Sequence, residues 1–328
     1  MIDSKDYYGE YFGHKTEHLQ IIIENLRPNH SEIIWLAGDS SLDNKYWFSN
    51  TSTLKNGMES IIRGQGKPDI CHHLNSESVK RNLNCAAINC AIEATRLESR
   101  ACGCLLKQDN IIKNNINHQD TLVVSIGGND IALLPSPMTI LSILSLICCT
   151  PTSCIENYSC GCAVPMDDYC CGCCTSSLSC FTAFPIGLGY FIHLFQIRIE
   201  AYIKRLTART KPRRVIVCMI YYPDEAPGNS WADGTLSLLG YNTNPSKLQA
   251  LIRKMFKLAT QKINIPGIEV IGLPLFDVLD ATDTNDYCQR VEPSPIGGKK
   301  IANAILDIIS NDHDHRINSR GLTDISFS

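Results

Sequence analysis

The chain has 328 residues, 44% of them hydrophobic, and a formal net charge of −3. That length and apolar content support a substantial core in one large domain or two ordinary ones, and the near-neutral charge excludes the basic footprint of a nucleic-acid-binding protein. Seventeen cysteines, ten of them between Cys148 and Cys180, set the chain apart; because Met1 to His18 is polar and lacks the apolar stretch of a secretory leader, the expectation is an intracellular protein with reduced thiols.

Residues 1–30 read as a polar lead-in with a short helix near Thr16 to Leu26, ended by the break Pro28-Asn29-His30-Ser31. Ile33 to Ala37 is a continuous apolar run closed by Gly38-Asp39-Ser40, the pattern of a buried strand in a parallel sheet. Chemistry in such sheets sits just beyond the carboxyl ends of the strands, which makes Ser40 a candidate nucleophile; the competing reading is a turn in which Asp39 or Ser40 only caps the next helix. A loop carrying Tyr46, Trp47 and Phe48 follows. Thr53 to Arg63 resembles a helix, Ile70 to Leu74 a short second strand, and Ala91 to Leu106 a helix. Leu122 to Ile126 is a strand that ends in Gly127-Gly128-Asn129-Asp130, again polar residues directly after an apolar run. Phe191 to Arg209 is an amphipathic helix whose basic end, Lys204 to Arg214, reads as solvated. Val215 to Tyr222 is another strand, Asn244-Pro245 opens a helix through about Ile263, Glu269 to Leu273 is the last strand, and Gly297 to Ile309 the last helix. The tail from Asn311 is polar and expected to fray. Cys85, Cys90 and Cys218 sit in apolar surroundings and read as core residues.

Strands alternating with helices predict a parallel sheet covered on both faces. With right-handed crossovers the simplest solution is a five-stranded, flavodoxin-like α/β/α sandwich. Neither an internal repeat nor a glycine-rich phosphate loop is present. Residues 135–190 are compositionally foreign, nearly uncharged and cysteine-rich, and read as an insertion. Neither of its apolar runs is a clear span: Met138 to Cys149 is about half the ~20 residues a helix needs to cross a bilayer, and Leu178 to Phe195 is interrupted by Pro185, Gly187, Gly189 and His193.

Gly38-Asp39-Ser40 and Gly127-Gly128-Asn129-Asp130, each at the end of an apolar strand, resemble the first and third sequence blocks of the SGNH, or GDSL-type, hydrolase superfamily of esterases, lipases, thioesterases and carbohydrate deacetylases. The resemblance covers roughly residues 31–134 and 191–309. It implies Ser40 as nucleophile, its own N–H and the Asn129 side chain as oxyanion donors, and Asp39, Gly128 and Asp130 as residues that shape the two loops. It organises the chain as a lead-in at 1–30, a hydrolase-like domain at 31–310 interrupted at 135–190, and a tail at 311–328. Two blocks depart from the family pattern. Asn84 to Ala91 stands where a glycine oxyanion donor is expected, and places Cys90 or Asn89 there. The usual Asp-x-x-His before the last helix is Gln289-Arg290-Val291-Glu292, which puts Glu292 where the histidine base belongs; this resembles some GDSL-like proteins that combine Gly-Asp-Ser-x-Leu-Asp-Asn, as in Gly38 to Asn44, with Glu-Pro-Ser at this place.

An ordinary Glu has a pKa about 2 units below His, worth about 3 kcal/mol of proton affinity, so Glu292 needs burial to become an effective base near neutrality. His72, His73 and His193 are alternative bases. The expected activity is hydrolysis of a carboxylic ester of a lipid, acyl or acylated-sugar substrate, with no cofactor or metal required. The other class is a hydrolase-like fold kept as a binding or assembly subunit with protein partners. For the insertion three readings stay open: an apolar lid or peripheral membrane contact, with S-acylated cysteines; a metal or disulfide knot, for which Cys170/Cys173 or Cys171/Cys174 have suitable spacing; and simple packing. His313-Asp314-His315 is a further metal-capable cluster, more simply read as solvated.

Overall fold

The structure, a computed structural model, describes residues 1–101, 103–166, 173–228 and 230–323, with residues 173, 174 and 312–323 as backbone only. At its centre β1 (Glu32–Gly38) lies between β2 (Cys85–Asn89) and β3 (Thr121–Ser125). β4 (Arg214–Met219) and β5 (Glu269–Pro274) extend the sheet on the β3 side. The order is therefore β2-β1-β3-β4-β5, with every pairing parallel. This is the expected five-stranded flavodoxin-like sheet. β1 to β4 are buried along their whole length, as near-continuous apolar strands of a doubly covered sheet must be.

Because side chains alternate across a strand, β1 feeds two cores. Ile34 and Leu36 point to one face, where they meet Ile70 and Leu74 of α2 (Ile70–Lys80) and Ile301 and Ile305 of α8 (Pro295–Thr323). Ile33, Trp35 and Ala37 point to the other, against α1 (Thr16–Leu26), α3 (Lys107–Asn115), α6 (Ile199–Leu206) and α7 (Pro245–Leu258). Each large side chain so buried contributes about 1.5–3 kcal/mol. The first thirty residues share this core through Leu19, Ile22 and Leu26. A continuous helical path, Leu188–Ile192 then a π-helical turn His193–Arg198, leads into α6.

One buried carboxylate joins the layers. Asp120, at the foot of β3, accepts both guanidinium arms of Arg27 at 2.6 and 2.7 Å, the Trp35 indole N–H at 2.8 Å and the Ile33 N–H at 3.0 Å. Asp120→Ala is expected to cost about 3 kcal/mol, since it leaves a half-buried cation and the Ile33, Trp35 and Asn117 N–H groups without their acceptor; urea unfolding measures it.

Three sequence expectations are corrected. Ile70 to Leu74 is the first half of helix α2, not a strand: Asp69 caps it by accepting the His72 N–H at 2.7 Å, and Ile70, Cys71 and Leu74 form its buried stripe. The second strand is Cys85–Asn89, whose short Cys and Ala side chains fit between two helical layers. Ala91 to Leu106 is mostly loop with one turn at Leu97–Ala101, and the helix proper is α3. In Thr53 to Arg63 only Met58–Ile61 is helical, because Asn56 (φ 65°) and Gly57 (φ 90°) turn the backbone left-handed just before it.

The insertion folds as α4 (Pro137–Cys149), α5 (Thr152–Tyr158), a helix at Cys173–Ser179 and a short antiparallel pair, Cys160–Gly161 with Ala183–Phe184. Among the described residues no single helix is long and apolar enough to cross a membrane; α4 and α5 reach that length only together, across a 104° bend. Cys170 and Cys171 lie outside the described residues, as do the side chains of Cys173, Cys174 and His313-Asp314-His315. Among the described side chains no group of three metal-capable residues converges.

Candidate active site

β1 and β3 are neighbours, and the chain leaves both at the same edge of the sheet, where connections diverge and a crevice opens. Gly38 is the pivot. Its φ is +148°, and a Cβ there would lie 1.8 Å from the Ser125 carbonyl oxygen of β3. Only glycine lets the two strand ends come this close, and the next residues turn sharply over the sheet. The buried Arg100 guanidinium donates to the Gly38 carbonyl at 2.7 Å, and the Asp39 N–H donates to Ser125 O at 3.1 Å. Asp39 then ties the loops together, accepting the Ser41 N–H at 3.1 Å, the Ser41 hydroxyl at 2.7 Å and the Gly127 N–H at 3.3 Å.

Ser40 stands at the crest of this turn. Its hydroxyl donates to Glu292 Oε1 at 3.2 Å across 252 residues of sequence. Glu292 is held by a braced loop. The Tyr221 hydroxyl donates to Val291 O at 2.6 Å, the Cys288 N–H donates to Glu292 O at 3.0 Å, and Arg290 donates to Asp224 O and to Asp233. The Asn44 amide donates to Pro293 O at 3.0 Å, clamping the serine loop directly to the glutamate loop. Ser294 caps α8 immediately after, accepting the Ile296 and Gly297 N–H groups at 3.1 and 3.2 Å.

Glu292 is 2% exposed. Burial pushes its carboxyl well above the ordinary range, the nearby Glu93 and Asp39 carboxylates add to the rise, and hydrogen bonds with Ser40 and Trp231 oppose it. Glu93, itself buried, is pushed up to about 8 mainly by burial, with the Asp43 carboxylate adding and Lys45 and a hydrogen bond with Trp47 opposing. An acid raised in this way is a stronger base once ionised, the property that Glu292 lacks in water.

Asn129 opens the short helix after β3 (Asn129–Ala132). Its side-chain amide spends one of its two N–H groups on Thr95 O at 3.0 Å, and the residue lines a crevice with Ser40, Gly128 and Glu292. Asp130 braces the loop from behind by accepting the Leu97 and Glu98 N–H groups at 2.7 and 3.0 Å; burial first, with these bonds opposing, sets its carboxyl at about 6. Gly128 has an ordinary helical φ of −60°, and a Cβ there would meet only Ile220 at 3.9 Å, so its backbone needs no glycine. The crevice deepens into a cavity of about 100 Å³ that opens to solvent. Ser40, Asn129 and Glu292 line it. The walls are Ile143 of α4, Phe191, Ile220, Trp231, Leu236, Leu239, and Leu248, Leu251, Ile252 and Met255 of α7. A few convergent polar groups in the lining of an apolar cavity are the usual make-up of a small-molecule site.

No protein-family model matches the chain, and no curated protein does. Among solved structures it is similar to the family 3 carbohydrate esterase of Clostridium thermocellum, with 13% identity and a TM-score of 0.39 over 85% of this chain and 97% of that one. It is also similar to an extracellular lipase of Streptomyces rimosus (9%, TM-score 0.38, covering 84% and 98%) and to the carbohydrate acetylesterase Est24 of Sinorhizobium meliloti (8%, TM-score 0.40, covering 85% and 98%).

Two groups of residues are not brought to the site. The Cys90 N–H is spent on Leu36 O at 2.9 Å, continuing the β1–β2 pairing, and its side chain is wholly buried in the core. Cys90 is therefore not an oxyanion donor; the expectation fails because the chain stays in register with β1 for one residue longer than a loop-opening donor allows. His72 and His73 sit on α2, and His193 lies in the π-helical turn with its Nε2 3.3 Å from the Thr175 hydroxyl. None of the three lines the cavity. Burial holds His73 down at about 4 and His193 at about 3, the behaviour of neutral packed rings. The sequence reading missed Asn44, Trp231 and the α7 wall; the stripe Leu248, Leu251, Ile252, Met255 was a visible signal, but helical periodicity does not say which buried stripe faces a cavity.

Proposed function

We propose that this protein hydrolyses carboxylic esters by acyl transfer to Ser40, with Glu292 as general base. The observation that carries this reading is the 3.2 Å hydrogen bond from the Ser40 hydroxyl to a buried carboxylate in the lining of an apolar cavity. Glu292 takes the hydroxyl proton as Ser40 Oγ attacks the ester carbonyl carbon. The negative charge that gathers on the carbonyl oxygen is met by the Ser40 N–H, which has no partner among the described residues, and by the Asn129 amide. On collapse the carbon–oxygen bond to the alcohol breaks and Glu292 returns the proton to it. Water, deprotonated by Glu292, then releases the acid and restores Ser40.

The cavity favours an ester whose acyl part is aliphatic. Each methylene moved from water onto the Leu, Ile, Phe and Met lining gains about 0.8 kcal/mol, whereas a sugar hydroxyl would find few partners there and lose its hydration. The reagent that tests the reading is a fluorophosphonate, which phosphonylates an activated serine. Wild type is expected to label and Ser40→Ala not to. Absence of labelling on folded wild type would replace the enzyme reading with that of a binding protein on the same fold.

A further inference from the structure

α4 is built inside out. Its inward face carries hydroxyls: Thr139 bonds the Tyr190 hydroxyl at 2.6 Å and Ser142 Oγ lies 3.4 Å from Cys180 Sγ, beside the apolar Ile143 and Leu146. Its outward face carries Ile140 and Leu141, the latter 63% exposed, and its end presents the thiols of Cys148 and Cys149. A surface helix in water shows the reverse pattern. The neighbouring turn repeats it: Phe181 is 76% exposed, and Leu178, Phe184 and Ile186 project with it. This turn is fastened to α4 by the Ser145 hydroxyl donating to Ile186 O at 3.2 Å. No charged side chain occurs between Asp130 and Glu156, nor from 173 to 197. Cations stand at the rim, where Lys247 and Lys254 of α7 reach the carbonyls of Ile147 and Glu156 and Arg253 pairs with the Glu156 side chain.

We propose that this outer face of α4 and the 178–186 turn docks on a lipid bilayer. Protruding aliphatic and aromatic side chains without ionisable groups, fringed by lysine and arginine, match an acyl region below anionic headgroups. A protein partner would instead call for hydrogen-bonding groups distributed through the contact, and the side chains that protrude furthest, Leu141, Leu178, Phe181, Phe184 and Ile186, offer none. The placement also suits the cavity: Ile143, on the inner side of the same helix, is one of its walls. The docking goes beyond the hydrolase reading and requires no chemistry at Ser40.

The test is sedimentation of the full chain with phosphatidylcholine vesicles, with and without phosphatidylserine, comparing wild type with the double variant Leu141→Glu/Phe181→Glu. Neither residue lines the cavity, and both are exposed, so thermal midpoint and Ser40 labelling should match wild type. Wild type is expected to pellet with vesicles, more so with phosphatidylserine, and the variant to bind at least about ten-fold more weakly. The milder pair Ile140→Ser/Leu141→Ser should fall between the two. Wild type that stays in the supernatant with both vesicle types overturns the proposal, as does a double variant that binds as tightly. So does a wild-type dimer on size exclusion that the double variant abolishes while neither binds vesicles, which would assign the face to a second copy. Because binding and labelling are read separately, failure of one leaves the other standing.

Discussion

Glu292→Gln is expected to lower kcat/KM for a soluble ester by about 10²–10⁴, the range supplied by a positioned general base. Gln keeps the size of the side chain and an acceptor for the Ser40 hydroxyl, so the loss is of basicity rather than of packing. The pH profile identifies the cause. The base acts only when ionised, and burial with the Glu93 and Asp39 charges raises its pKa. Wild-type activity should therefore rise with pH through a limb well above the ordinary glutamate value of about 4.3, and be lost as pH falls through it. Glu93→Gln removes one of the charges that raise Glu292, so the limb should move to lower pH while the serine and its oxyanion donors stay in place. The two carboxyls titrate as a coupled pair, and the shift is a property of both. A wild-type rate already flat above pH 5, or a Glu292→Gln enzyme of undiminished activity, would remove Glu292 from the role.

The strand ends were legible in the sequence because their physics is local. A parallel strand buried on both faces must be apolar throughout, and it must stop where polar residues begin, so Ile33 to Ser40 and Leu122 to Asp130 announced both their structure and their edge of the sheet. The second strand was not legible for the same reason inverted: Cys85-Ala-Ala-Ile-Asn is short and low in β-branched residues, and what fixes it as a strand is pairing with β1, a contact made across some fifty residues of chain. Ile70 to Leu74 misled because a five-residue apolar run fits either period until Asp69 is seen to cap it. At the site, Glu292 was found by its place before the last helix. What the sequence does not carry is the clamp that holds its loop against the serine loop. Asn44, four residues after Ser40, holds Pro293, next to Glu292; only in three dimensions do Gly-Asp-Ser-x-Leu-Asp-Asn and Glu-Pro-Ser become two halves of one joint. Beneath it, the ion pair of Lys45 with Asp43, both side chains fully buried at 2.7 Å, anchors the same loop in the core.

Asn129→Ala is expected to reduce kcat by about 10²–10³, or roughly 3–4 kcal/mol of transition-state stabilisation, the cost of one preorganised oxyanion donor. The amide is well placed for such a role because its orientation is not free: one N–H is committed to Thr95 O, the helix it opens begins directly after β3, and Asp130 pins the facing loop through two backbone N–H groups. A donor fixed before the charge appears needs no reorganisation when it forms, and in a crevice walled by aliphatic side chains its field is little screened. The same Thr95 bond supplies the rival explanation, that alanine simply loosens the 91–98 loop. The two are separable by kinetics. Loss of an interaction made only in the transition state lowers kcat and leaves KM nearly unchanged, whereas a loosened loop raises KM and lowers the thermal midpoint together. Asn129→Asp sharpens the contrast: it keeps the shape of the side chain but places a carboxylate where the oxyanion forms, so it should be at least as inactive as the alanine variant while losing less packing. An aspartate variant that retains wild-type kcat would mean that the oxyanion is held elsewhere in the crevice.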